Sequence, residues 1–250
     1  MRQKLRKAII LIMLLTFPII MNFLSPYVSI TAAGEGIISG SLMLFIVMFV
    51  TSTFIGRAWC GWVCPMAGLS EACMAVNSKP VSLRRMRISR YIIFGIWASM
   101  IILMFILARG VRGVNLLYYT ENGISVDMPV KYIIYYGVLL IFLIVSIAAG
   151  RRGACQAFCW MAPFMAGGYR FGGLLKMPQL RIMSDSSKCT SCGTCNKKCP
   201  MSIDVRREVP KGHVGLSDCI LCGECTDNCP HKVLRYGINT PRGTSGTIRP

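Results

Sequence analysis

Acidic residues are scarce in this sequence: 10 Asp+Glu stand against 28 Lys+Arg, a formal net charge of +18 over 250 residues, and there are only two histidines. Charged residues make up 15% of the chain and hydrophobic ones 54%. A soluble globular protein carries roughly 25% charged and about 45–50% apolar residues, so a membrane protein is indicated and a disordered chain is excluded. Scarcity extends to motifs. There is no glycine-rich nucleotide fingerprint and no hydrolytic triad, and Gly243-Thr244-Ser245-Gly246-Thr247 lacks the flanking strand and helix of a phosphate loop, so it reads as tail. His213 and His231 both fall near the carboxy-terminal end, which leaves the long apolar stretches without axial ligands and excludes a transmembrane bis-histidine haem held by this chain alone. Thirteen cysteines, an odd number, rule out complete internal disulfide pairing.

About 20 apolar residues cross a bilayer core. Four stretches fall in the usual range: 8–24, with Pro18 as an expected kink, 37–55, 91–108 and 132–149. None contains Asp, Glu, Lys, Arg or His, which argues against ion pumping by this chain alone. The flanks alternate in charge. Arg2, Lys4, Arg6 and Lys7 precede the first stretch, nothing basic separates the first two, and Arg57, Lys79, Arg84, Arg85, Arg87 and Arg90 follow the second. Only Arg109, Arg112 and Lys131 precede the fourth, and Arg151 and Arg152 come after it. The positive-inside rule then places both termini in the cytoplasm, in a multi-pass protein of the cytoplasmic membrane. That bias accounts for most of the +18, so no nucleic-acid partner is needed. The opening segment resembles a secretory signal but its apolar run is too long, and it reads as a retained signal-anchor.

Composition shifts near Pro178. Residues 1–178 read as a four-helix transmembrane domain, 179–240 as a cysteine-rich second domain and 241–250 as a disordered tail. Residues 164–188 are glycine-rich and basic, suited to chain lying at the membrane surface. In the second domain Cys189-x2-Cys192-x2-Cys195-x3-Cys199-Pro200 is repeated 30 residues on as Cys219-x2-Cys222-x2-Cys225-x3-Cys229-Pro230. This is the run of bacterial two-cluster ferredoxins, in which the fourth cysteine of each motif serves the other cluster. One [4Fe–4S] cluster is therefore assigned to Cys189, Cys192, Cys195 and Cys229, the other to Cys219, Cys222, Cys225 and Cys199. Gly193 and Gly223 are expected to let the backbone pass close to the sulfides. The alternative is a pair of four-cysteine zinc sites, which rarely repeat three-cysteine turns with a trailing Cys-Pro. From Arg181 onward eleven basic residues face six acidic ones, a surplus that offsets cluster charge and leaves a basic face for an acidic partner or for solvent.

A second set, Cys60-x3-Cys64-Pro65 and Cys155-x3-Cys159-Trp160, follows the second and fourth apolar stretches, each time after Gly-Arg. Both pairs then belong at the cytoplasmic membrane edge. On a regular helix such a pair sits about 5–6 Å apart, wider than the ~3.5–4.5 Å between the Cβ atoms of a disulfide. Two facing pairs would form a soft four-thiolate site for an additional iron–sulfur cluster; a thiol redox relay and plain packing of buried cysteines remain the other readings. Cys73 reads as a core residue.

These features resemble the membrane ferredoxin-type proteins of quinol-dehydrogenase systems, the NapH and NosR-like group, on GRAWCGWVCP, the second Cys-x3-Cys, LLKMPQLRI and the doubled ferredoxin run. The resemblance implies an integral membrane all-α protein of four transmembrane helices with a C-terminal α+β ferredoxin-like domain, two cytoplasmic [4Fe–4S] clusters, and electron transfer between quinone or a soluble carrier and a partner oxidoreductase. Trp160 departs from the group's second Cys-Pro and puts the turn at Cys159 in question. A redox-sensing or enzyme-maturation protein, or a metal-stapled scaffold, would show the same cysteines. Trp59, Trp62, Tyr118, Tyr119, Tyr135 and Tyr136 read as interfacial belt residues rather than a quinone pocket.

Overall fold

The computed structural model describes residues 1–120 and 123–239; the segment 241–250, read above as tail, lies outside them. The first apolar stretch is broken. Pro18 lacks an amide hydrogen and its ring crowds the carbonyl four residues back, so α1 (Arg2–Leu15) ends at Thr16, and α2 (Phe17–Ile20) with the following 3-10 turn to Leu24 continues at 60° to it. Then α3 (Pro26–Gly34) starts on Ser25, whose hydroxyl accepts the Val28 N–H.

The second apolar stretch is divided as well. Its first residues form β1 (Ile37–Ser39), paired in parallel with β2 (Gly113–Asn115), and α4 (Gly40–Ile55) begins only after the Ser39 cap. At about 1.5 Å per residue its 16 residues give a helix of about 24 Å, short of a bilayer core of about 30 Å. Two short helices follow, α5 (Ala58–Trp62) and α6 (Pro65–Cys73). The long helices are α7 (Leu83–Leu107) and α8 (Pro129–Ala149), then come α9 (Gly153–Ala157) and α10 (Met161–Leu174).

Where four spans were expected, two helices, Arg85–Leu107 and Pro129–Ala149, are long and apolar enough to cross a membrane, or three if the bent pair counts as one span. The excess arose because hydropathy registers neither the Pro18 break nor the capture of Ile37 and Ile38 by strand pairing. The two long helices keep Ile92, Ile96, Ile102, Ile133, Ile141 and Ile144 exposed, as a lipid-facing surface requires. Residues 164–174, expected at the surface, belong to α10, which packs along α4 with Gly168 and Gly172 against its backbone.

The second part begins at β3 (Gln179–Ser184), followed by α11 (Thr194–Lys198), α12 (Val205–Glu208), β4 (His213–Val214), α13 (Glu224–Asp227) and β5 (Leu234–Asn239). Its antiparallel sheet has the order β4-β3-β5, with Ile182 opposite both Val214 and Tyr236. Ile182, Met201, Val205, Val214, Ile220 and Val233 form its core, against which Ala58 and Cys60 of α5 also pack. The two parts thus share one hydrophobic seam. At the same seam Arg2 and Gln3 of α1 reach Asp227, and Gln3 donates to the Cys222 carbonyl at 2.9 Å.

Candidate iron–sulfur sites

The ferredoxin motifs repeat in backbone conformation as well as sequence. Ser191 and Leu221, Gly193 and Gly223, Ser202 and Lys232 all take left-handed conformations, with φ between +50° and +78°. Such angles turn successive amides into a concavity that suits an anionic group, and for Leu221 they carry a steric cost usually met only at functional sites. For Gly193 this alone explains the glycine, since a Cβ there would meet nothing within 4 Å, whereas a Cβ on Gly223 would also fall 2.6 Å from the Tyr236 hydroxyl.

Cys189, Cys192, Cys195 and Cys229 line one cavity, at whose edge His231 lies; Cys199, Cys219, Cys222 and Cys225 line a second. Cys199 and Cys229 each stand with the opposite motif. Cys192 is exposed, and hydrogen bonds from Thr194 draw its thiol below the ordinary range. In the second cavity burial pushes Cys219 up to about 12 and Cys222 up to about 11. Bare thiols there are neutral, so only a bound metal would hold them as thiolates.

The Cys-x3-Cys pairs fold alike. In each, a helix (α4 or α8) closes on a glycine of positive φ, Gly56 or Gly150, whose N–H donates to a buried serine carbonyl, Ser52 or Ser146. A buried arginine follows (Arg57 or Arg152), then a five-residue helix holding the first cysteine, then the second cysteine outside helix. Each second cysteine accepts the N–H three residues on, from Ala67 to Cys64 and from Ala162 to Cys159. Trp160 therefore leaves the turn intact, and α10 merely begins one residue later than Pro65 begins α6.

All four thiols line a cavity of about 330 Å³ together with Arg57, Arg152, Trp59, Met165, Met201 and Ile220. Burial raises the Cys64 and Cys155 thiols and takes Cys159 to about 12, which disfavours these three as attacking thiolates in a relay. All thirteen cysteines are free. Among the described residues no three His, Cys, Asp or Glu side chains gather as a single ion needs, and this holds for the ferredoxin cysteines too. A tetrahedral zinc with Zn–S of about 2.3 Å brings its sulfurs to about 3.8 Å of one another, whereas a cubane takes one thiolate at each outer corner and needs them farther apart. Cys73 is buried in α6 outside the cavity.

Sequence reading missed the charge network around this cavity. Arg6 donates to Glu71 at 2.8 and 2.9 Å and reaches Glu224 of the second ferredoxin motif at 3.2 Å. Arg152 pairs with the same Glu71 and donates to the Cys60 carbonyl at 2.7 Å. Asp218, itself buried, accepts from Arg57, Arg87 and Arg90. Five guanidiniums thus face three carboxylates at the seam. Arg87 is 41% exposed, so four of the five guanidiniums are buried, one more than the carboxylates. A buried surplus of positive charge is costly unless something negative sits beside it, and cysteine-ligated clusters with net negative charge fit that requirement. Arg57 and Arg152 also leave their Nε without a hydrogen-bond partner.

Comparison with known proteins agrees with this chemistry. A family model described as "4Fe-4S dicluster domain" matches residues 188–234, and one described as "4Fe-4S binding domain" matches residues 39–79, which include Cys60 and Cys64. The chain carries two ferredoxin-type 4Fe–4S matches. It is 22% identical over 186 residues (72% of this chain, 51% of the relative) to "Putative electron transport protein YccM" of Escherichia coli K12. It is 24% identical over 169 residues (67% and 54%) to "Methylamine utilization ferredoxin-type protein MauN" of Methylorubrum extorquens, and 23% identical over 178 residues (70% and 64%) to an uncharacterized protein, MJ0749, of Methanocaldococcus jannaschii. The chain spans between half and two thirds of the length of these relatives. No solved structure matches it.

Proposed function

We propose that this protein is a membrane-bound iron–sulfur electron-transfer subunit, passing electrons between the quinone pool or a soluble carrier and a partner oxidoreductase. The observation that carries the reading is the succession of three cysteine-lined cavities, from exposed Cys192, through the cavity of Cys199 and Cys219, to the one at the end of α4 and α8. When bound, two [4Fe–4S] clusters in the carboxy-terminal part supply reversible one-electron exchange, and an additional iron–sulfur centre at the membrane edge extends the path. The chain's own residues hold, insulate and balance the charge of these groups. Lys197, Lys198 and Arg206 are exposed on the segment around the outermost cavity and suit an acidic redox partner.

The third cavity continues into an apolar arm lined by Phe17, Ile20, Leu24, Met48, Val138 and Phe142. Its volume, about 330 Å³, lies at the lower end of the range for small-ligand pockets, and its walls suit a quinone head. The names of YccM and MauN support electron transport and a ferredoxin-type role, and the likeness of the Cys-x3-Cys repeat to the NapH and NosR-like group supports quinol as donor. The two long helices α7 and α8 are the spans of this reading, in the cytoplasmic membrane with both ends of the chain on the inner side. The contact of Arg2 with Asp227 supports a common side for the amino terminus and the ferredoxin part.

The test is reduction of the anaerobically purified full chain in liposomes by a menaquinol analogue. Bleaching of the cluster absorbance within seconds supports the reading. Clusters that dithionite reduces but quinol and acidic carriers leave oxidised would point instead to sensing or maturation. A colourless, EPR-silent, zinc-loaded protein would remove the electron-transfer reading altogether.

A further inference from the structure

We propose that Cys60, Cys64, Cys155 and Cys159 together hold a third [4Fe–4S] cluster, ligated two by two by the halves of the internal repeat. The inference deepens the electron-transfer reading and rests on it. Convergence is the first support. Two cysteine pairs almost a hundred residues apart in sequence line one cavity, the first cysteine of each third in a five-residue helix that follows a glycine and a buried arginine. Ordinary packing of small side chains would close the space between them; here all four thiols line an open cavity, whose volume of about 330 Å³ also includes the apolar arm.

Charge is the second support. Arg57 and Arg152 are 2% and 1% exposed, line the same cavity and keep an unpartnered Nε each. Arg57 also approaches the Cys60 sulfur at 3.8 Å. Their carboxylate partners, Asp218 and Glu71, are each shared with other arginines, and a thiolate-ligated cluster adds negative charge and sulfur acceptors for the free Nε positions.

Position is the third. Met201 and Ile220 line both this cavity and the one holding Cys199, Cys219, Cys222 and Cys225, so a single layer of side chains separates them. The cysteine loop touches its neighbour directly: Trp62 donates to the Leu221 carbonyl at 2.9 Å. On ligation each thiol releases its proton to solvent. In operation one electron moves between adjacent centres, one being oxidised as the other is reduced.

The test is iron and acid-labile sulfide per chain, with Mössbauer spectra, on the full-length protein purified anaerobically after growth on 57Fe. Three cubanes give about 12 of each. The C60S/C155S double variant is expected to fall to about 8 while keeping the spectra of the two ferredoxin-type clusters. Cys73→Ser, a buried cysteine outside the cavity, is expected to stay near 12, four per cubane. Wild-type protein holding about 8, or about 10 as a two-iron centre would give, overturns the inference without touching the two-cluster reading. So does a double variant with undiminished iron. Because the wild-type count needs no variant, a double variant that fails to fold leaves the test intact.

Discussion

Gly61 sits where an added Cβ would come within 2.2 Å of the Ile220 carbonyl oxygen, so the cysteine loop reaches the second ferredoxin motif only because the side chain is missing. Gly61→Ala should lower stability by roughly 1–3 kcal/mol through forced backbone movement, read as a fall in melting temperature. Gly95→Ala, whose Cβ would meet nothing within 4 Å, should be neutral or stabilising. Glu71 joins Arg6 and Arg152. Its Glu71→Gln variant would leave two buried guanidiniums without their shared carboxylate, a loss of about 3–5 kcal/mol when a buried pair is broken. Burial opposes ionisation of Glu71, but Arg152 and Arg6 outweigh it and hold the group below the usual carboxylate range. Its contribution is therefore full above the unfolded value of about 4.3 and disappears as pH falls through the lower folded value. Wild type and Glu71→Gln should differ most in denaturant midpoint at pH 6–8 and converge on acidification toward and below about pH 4. The cysteines were legible because ligand spacing is local in sequence. Glu71 and Asp218 were not, since their arginines lie 65 to 161 residues away and counted only as membrane-flanking charge.

At the scale of elements, α4 and α10 lie so close that a Cβ on Gly168 would fall 2.4 Å from the Phe49 carbonyl oxygen. Gly168→Ala should separate the helices and cost roughly 1–3 kcal/mol, with a matching loss of cluster absorbance on heating, because α4 leads directly into the turn that holds Cys60 and Cys64. Hydropathy located α7 and α8 well, since nothing in either sequence interrupts the helix. It overstated the first and second stretches for physical reasons visible in single residues: Pro18 breaks one, and Ser39 caps a helix that strand pairing has shortened. The repeat of Gly-Arg and Cys-x3-Cys was readable. That α9 would end as α5 does, despite Trp160, was not, because the turn is set by the backbone N–H capping Cys159 rather than by proline.

For the whole molecule, the distribution of contacts divides the protein into two ends. The ferredoxin part, the amino terminus and both Cys-x3-Cys turns meet at one end, while β1 and β2 pair at the other, where Tyr118 donates to Glu35 at 2.9 Å. Reporter domains fused after Asn115 and after Asn239 should therefore register on opposite sides of the membrane. Equal signals from both would exclude α7 and α8 as a pair of spans. The contact between Arg2 and Asp227 also bears on biogenesis. Arg2 finds its partner only once the chain has been made through the second ferredoxin motif, 225 residues on. Arg6 likewise gains Glu224 only from that motif, so until it is in place Arg6 has Glu71 alone, a carboxylate that Arg152 already shares.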